Sequence, residues 1–324
     1  MKLLLGISAA TCLLPSFSNA ADTGFGNLEP YGKFSIHRLS GNGFSENYWS
    51  GDFGIKVTPS ETTNPVNYGL YVGYDGIGFF GNGSGDNGSD TLAYPTAAIV
   101  LSVGEHDFSI GVPRSVVSDI FDREDRVGNL LLDFEARLYT DTLRYVRVIS
   151  SLDDVGGTFY GVRYDARWSN TTLAAGLFWG EVFEQESRII QIAASHEIGN
   201  LRFRAGYEFA QNAWSDSTAS YSTGVTAISG KFAYGIDATL LKYSDGETTT
   251  LDFFGTYHFN DRLKASISYM SSAEEFGDYS FSSIGLEFAP TSSSFVVVTA
   301  ATAADDLFGD GNNPIYEASV GLRF

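Results

Sequence analysis

The sequence predicts an all-β protein, an antiparallel transmembrane β-barrel of sixteen strands, with eighteen as the alternative count. Three observations predict it. Apolar and polar residues alternate with a period of two over segments of about ten residues. The segments are joined in alternation by short turns and longer polar connections. After residue 21 there is no long amphipathic helix and no run of roughly 18 apolar residues, which excludes a helical membrane protein.

Composition sets the outer bounds. The chain has 324 residues, with 20 Lys and Arg, 39 Asp and Glu, 36 Gly and 8 Pro; 43% of residues are hydrophobic and 15% aromatic. This is too apolar for a disordered chain, and no glycine period of three points to collagen. A formal charge of −19 argues against nucleic acid or an anionic membrane surface as the main partner, because both repel an acidic protein. The length allows two ordinary domains or one large β domain, and the strand pattern takes the second.

Residues 1–20 read as a secretory signal peptide. Lys2 is the positive start, an apolar run opens at Leu3-Leu4-Leu5 and reaches Leu14, and Ser18-Asn19-Ala20 offers small residues for cleavage after Ala20. The run is too short to span a bilayer as a helix. Cleavage leaves residues 21–324 as the β domain and removes Cys12, the one cysteine, so the exported chain has neither disulfide nor thiol chemistry.

Strands are expected near 30–39, 49–58, 66–76, 93–103, 106–113, 157–168, 172–181, 188–198, 200–211, 221–229, 231–243, 250–259, 262–271, 280–289, 294–303 and 314–324. The clearest is 201–209, where Leu201, Phe203, Ala205, Tyr207 and Phe209 oppose Arg202, Arg204, Gly206 and Glu208. Phe232, Tyr234 and Ile236 oppose Lys231, Gly235 and Asp237; Leu251 and Phe253 oppose Asp252 and Thr256; Ile267 and Tyr269 oppose Ser266 and Ser268. Residues 139–150 alternate poorly and read as the return of a long inserted loop, or as a further strand. Tight turns are expected around Gly104-Glu105, Ser169-Asn170, Gly199-Asn200, Ser229-Gly230 and Asn260-Asp261, and long connections at 40–48, 77–91, 211–219, 272–279 and 304–313.

A soluble secreted β-sandwich or β-helix is the competing architecture. Three features oppose it. Strands of about ten residues exceed the sandwich mode of about 5–6. Aromatics such as Tyr48-Trp49, Phe79-Phe80, Trp168 and Trp179 gather at strand ends, as in membrane interfaces. The short–long alternation of connections is the third. Sixteen to eighteen strands enclose water rather than a packed interior.

The chain resembles the general diffusion porins of Gram-negative bacteria, over its whole length in architecture and over short stretches in sequence. Tyr316-x-x-x-Val320-x-Leu322-x-Phe324 looks like the terminal signal read by the barrel-assembly machinery. His106-Asp107-Phe108-Ser109-Ile110-Gly111-Val112-Pro113-Arg114, then Ser118-Asp119-Ile120-Phe121-Asp122, is similar to the porin segment where the fifth strand runs into the third loop. Arg137 to Tyr145 with Gly156-Gly157-Thr158-Phe159-Tyr160-Gly161 looks like the porin segment after that loop, although Asp141-Thr142-Leu143-Arg144-Tyr145 departs from the family's pattern.

The resemblance implies an outer-membrane, multi-pass homotrimer, each subunit with its own water-filled pore for small polar solutes and ions, in contact with outer-membrane lipid and lipopolysaccharide. It implies a third loop near 114–138 that folds into the barrel and sets acids against a basic wall. The acids would be Asp119, Asp122, Glu124 and Asp125. The bases would come from Lys33, Lys56, Arg114, Arg137, Arg144, Arg163, Arg202 and Arg204, with Arg123 and Arg126 in the loop. Opposed charges across a narrow aqueous gap order its water, and charge and diameter then set selectivity. A substrate-selective channel or receptor barrel is the alternative function.

Other chemistry is weakly signalled. His37, His106, His196 and His258 have no zinc spacing, and no Gly-x-Ser-x-Gly elbow or Walker loop occurs. No catalysis and no cofactor are expected. The acidic stretches 81–90 and 305–312 carry oxygen ligands suited to calcium, or to bridging lipopolysaccharide through divalent cations, but lack EF-hand spacing; a solvated loop is the preferred reading.

Overall fold

A computed structural model of the chain describes residues 21–22, 27–41, 44–58, 66–80, 91–121, 143, 159–182, 185–211, 217–244, 246–273, 279–304 and 314–324. A two-residue strand, β1 (Ala21–Asp22), pairs with the start of β2. The barrel strands are β2 (Asn27–Gly41), β3 (Phe44–Thr58), β4 (Val66–Phe79), β5 (Thr91–Val103), β6 (His106–Val112), β7 (Tyr160–Trp168), β8 (Thr171–Val182) and β9 (Gln185–Ile198). They continue as β10 (Leu201–Gln211), β11 (Thr218–Ser229), β12 (Phe232–Tyr243), β13 (Gly246–Asn260), β14 (Leu263–Ala273), β15 (Tyr279–Thr291), β16 (Ser294–Ala304) and β17 (Pro314–Arg323). A short helix, α1 (Val116–Phe121), lies between β6 and β7.

Each barrel strand pairs antiparallel with its sequence neighbour, and β17 pairs with β2 from Tyr316 opposite Ser40 to Arg323 opposite Lys33. The sheet therefore closes, and sixteen strands form the ring. Closure is what a bilayer demands, since hydrocarbon offers no partner for an open edge. The ring closes through the described strands without 139–150, of which only Leu143 is described.

The predicted faces are those observed. Phe203, Phe209, Phe232, Tyr234, Leu251, Phe253, Ile267 and Tyr269 are exposed on the outside, while Arg204, Glu208, Asp252, Thr256, Ser266 and Ser268 are buried on the inside. Most exposed aromatics form two belts, with Phe253 and Tyr269 between them. Tyr68, Phe108, Trp168, Phe232, Phe259, Phe288 and Phe324 lie at the tight-turn end; Phe80, Tyr160, Trp179, Phe209, Tyr221 and Tyr316 lie toward the other. Exposed Ile99, Ile192, Ile267, Ile284 and Val298 occupy the band between. Amphipathic rings at two levels with aliphatics between them match the two interfaces and hydrocarbon of a membrane. Tyr316 and Phe324 are exposed on this outer surface, and Val320 and Leu322 share the parity of Tyr316.

Two local expectations differ. Residues 40–48 are mostly strand: β2 runs to Gly41 and β3 starts at Phe44. The polar Ser45-Glu46-Asn47 continues the ladder because backbone pairing beyond the bilayer needs no apolar side chain. Tyr48 is not an interface aromatic; it points inward and is fully buried.

Candidate functional site

After β6 the chain turns into the barrel through Pro113, Arg114 and Ser115, and α1 lies on the inner face of β8, β9 and β10. Ser115 caps the helix, its Oγ accepting from the Ser118 amide at 3.2 Å. Gln191 of β9 accepts from the Val116 amide at 2.8 Å and from Ser115 Oγ at 3.1 Å. Gln191 donates to Glu208 at 2.5 Å, and Glu208 accepts from the Leu143 amide at 3.4 Å. This register-paired Gln191–Glu208 couple thus satisfies backbone groups from both the start and the return of the inserted segment.

Beneath these polar ties is an apolar cluster inside the barrel. Val116, Leu143 and Phe159 pack with Ala174 and Phe178 of β8, Ile189 and Ala193 of β9 and Ala210 of β10, with Ile120 against them. Gly206 permits the approach: a Cβ there would lie 3.1 Å from the Phe121 ring. Burying about eight side chains at roughly 1.5–3 kcal/mol for each large one anchors α1 more firmly than its length would.

Charges cross the remaining contact. Arg114 pairs with Asp52 of β3 and, at 3.0 Å, with Asp119 of α1. Its amide donates to Tyr71 Oη at 2.9 Å. Arg163 of β7 pairs with the same Asp119 and, at 2.6 Å, with Asp165, and donates to the carbonyls of Arg114 and Ser115 at 3.3 Å. Burial works against the Arg114 charge, but Asp119 and then Asp52 outweigh it and hold its pKa above the usual arginine range. Arg114 therefore stays charged at every ordinary pH, and alkali removes its pairing only at the extreme. Arg204 of β10 pairs with Asp237 at 2.9 Å, donates to Thr226 at 2.8 Å and lies over the Phe121 ring at 5.6 Å. Asp52 and Asp119 keep 33% and 21% of their side chains exposed, so this network meets lumen water and is screened by salt.

Of the sequence candidates, Asp119, Arg114 and Arg163 come together here, with Arg204 at the far end of α1. Asp119 touches its arginines rather than facing them across a gap. Lys33 and Lys56 share the inward parity of β2 and β3; Lys33 is opposite Asp52, with its Nζ 4.6 Å above the Phe295 ring. Arg202 pairs with Glu197 at 2.6 Å beside the β9–β10 turn, away from α1. Asp122, Glu124, Asp125, Arg123, Arg126, Arg137, Arg144 and both acidic stretches lie outside the described residues. Sequence reasoning missed Asp52, Asp165, Gln191, Glu208 and Asp237. One signal was present: Ala174, Phe178, Ile189 and Ala193 are apolar at inward positions, where water alone would select polar residues.

The wall from β11 round to β3 carries hydroxyls instead. Ser222–Thr239, Thr250–Ser272 and Ser268–Ser283 bond across strands at 3.0, 3.2 and 2.6 Å. Near the seam, His37 Nδ1 lies 2.7 Å from Glu317 Oε1, and its Nε2 lies 2.7 and 2.8 Å from Ser35 and Ser50 Oγ. The order carboxylate–imidazole–hydroxyl is that of a hydrolytic relay. The His37 side chain, however, is 0% exposed and stacked on Tyr48 at 4.4 Å, so no substrate reaches it; the cluster ties β17, β2 and β3 together. Among the described residues no group of three or more His, Cys, Asp or Glu is arranged to hold a metal ion.

No family model and no curated protein sequence matches the chain. Solved structures do. In-vitro folded OmpT, an outer membrane protein of Vibrio cholerae, has 11% identity and a TM-score of 0.61, covering 94% of this chain and 99% of that one. A triple mutant of the Rhodopseudomonas blastica porin has 14% identity and a TM-score of 0.59, covering 92% and 100%. At such identities the likeness is one of fold. With the lipid-facing belts, it makes the chain a porin-like, multi-pass β-barrel of the bacterial outer membrane.

Proposed function

We propose that this barrel is a passive channel for small hydrophilic solutes and ions, exported by residues 1–20 and assembled as a homotrimer with one pore in each subunit. The supporting observation is the Arg114–Asp119–Arg163 network, partly water-exposed, which holds an inserted segment against one inner wall of a closed, polar-lined barrel. An inserted segment fixed in this way narrows a passage. Polar solutes exchange hydration for charged and hydroxyl side chains there, whereas apolar solutes gain nothing for entering ordered water. Transport of this kind needs no reaction and no cofactor, and lipopolysaccharide and lipid surround the belts.

Planar-bilayer recording tests the reading. Purified protein should insert in steps of ohmic conductance, and protein that never conducts would overturn it. Conductance that a single solute blocks saturably would instead mark a substrate-selective channel. Chelator titration should leave thermal stability unchanged; a fall would bring calcium at the acidic loops into the account.

A further inference from the structure

The inserted segment is tied on two sides. α1 rests on β8–β10, whereas Arg114, at the head of the segment, reaches the strands on the other side of β6. Its guanidinium pairs with Asp52 of β3, and its amide donates to Tyr71 of β4. The same guanidinium lies over the ring of Tyr31 of β2, 5.7 Å from the ring centre. Tyr31 carries no charge and so gives no sign of this role in the sequence.

Tyr31 can take this place because the wall beside it is bare. It stands in register with Gly54 of β3, and Gly54 stands in register with Gly73 of β4. The side chain runs across both. A Cβ on Gly54 would come within 2.6 Å of Tyr31 Oη, and one on Gly73 within 2.5 Å. Packed atoms do not approach so closely, so neither position accepts a side chain while the ring lies there. The glycine pair is thus a seat that lays the ring along the wall and leaves a face for the guanidinium. An aromatic face attracts a guanidinium at short range. The ion pairs of Arg114 are of another kind: Asp52 and Asp119 meet lumen water, so those pairs weaken as salt rises. The ring supplies a restraint that dissolved salt does not loosen in the same way.

We infer that Tyr31, seated on the Gly54–Gly73 pair, is a positioning residue for the passage: it holds Arg114 against the β2–β4 wall and so fixes the edge of the inserted segment past which small hydrophilic solutes move. The inference rests on the channel reading. Tyr31 itself is the position to alter. At Gly54 and Gly73 a Cβ would also strike backbone, the Val72 carbonyl oxygen at 2.4 Å and that of Phe53 at 2.8 Å, so substitutions there would disturb the sheet as well as the ring.

The test is the current noise of the open channel, recorded from the reconstituted protein in dilute and in roughly 1 M potassium chloride. The unaltered protein and Tyr31→Phe, which keeps the ring, should be quiet in both. Tyr31→Leu removes the face; Arg114 then swings on its ion pairs, and the noise should rise severalfold, more in strong salt than in dilute. In an Arg114→Met background Tyr31→Leu should add nothing, because no guanidinium is left to release. A residue that merely supports the fold would lower the melting temperature alike in both backgrounds and leave the noise untouched. If Tyr31→Leu does not fold, Tyr31→Met, unbranched and adaptable, carries the same comparison; failure of both to fold would assign Tyr31 to the barrel itself and overturn the inference. Noise that ignores the loss of the ring, that rises equally without Arg114, or that rises in Tyr31→Phe overturns it while the channel stands. Absence of any conductance in the unaltered protein overturns the channel and the inference together.

Discussion

The inner wall of β8–β10 and the inner wall of β13–β15 obey the same strand geometry but carry different side chains. The first carries an apolar patch on its inner face as well as its outer one: Leu177 and Trp179 point out while Phe178 points in, and Ile190 and Ile192 point out while Ile189 and Ala193 point in beside Gln191 and Glu208. The second is mainly hydroxyl-lined, with Ser266, Ser268 and Ser283 inside against Ile267, Tyr269 and Ile284 outside, and Met270 and Phe281 form one apolar pair on its inner face. In a barrel, one apolar face reports lipid. A second apolar face reports protein on the inside, and here that protein is α1. A cluster of such breaks on three neighbouring strands therefore marks where the inserted segment docks.

Substitutions that remove this contrast should act in a graded way. Ile189→Asp, which buries a lone charge under α1, should cost about 3 kcal/mol or more and lower the melting temperature in detergent; surviving barrels should conduct more than the parent. Gln191→Leu keeps the volume but leaves the Val116 amide and Glu208 short of partners; it should cost roughly 1–3 kcal/mol by denaturant titration, with noisier single-channel currents. Asp119→Asn removes two partly exposed ion pairs and should cost about 1 kcal/mol, with a conductance increase that shrinks as salt rises. On the contrasting wall, Ser268→Ala should change stability by no more than about 1 kcal/mol and leave conductance as it was, since Ser268 touches no part of α1. An equal conductance change at Ser268 and Asp119 would erase the distinction between the walls.

The strands were legible because a two-sided environment writes a period of two into each of them, and all sixteen fall where the alternation puts them. Boundaries were less legible where the ladder outruns the bilayer, as at Ser45-Glu46-Asn47, because beyond the hydrocarbon the sequence no longer has to be greasy to stay paired. Asp119 was singled out through resemblance, and it lies beside Arg114 and Arg163. Its partners Arg114 and Arg163 were among the candidate bases, but Asp52 was not among the candidate acids, because it meets Arg114 across the ring and not by nearness along the chain. Asp52 reads locally as one more polar position. Only the register, which places Asp75 opposite it, shows that two negative charges there need a cation.

The seam between β17 and β2 joins the two barrel strands farthest apart in sequence, and Phe324 completes it by donating its amide to the Gly32 carbonyl at 3.0 Å. Until β17 pairs with both neighbours, the hydrogen-bonding rims of β2 and β16 stay open. Synthesis delivers this closing strand after the other fifteen of the ring, and a chain lacking it would be left as a sticky, unsealed sheet.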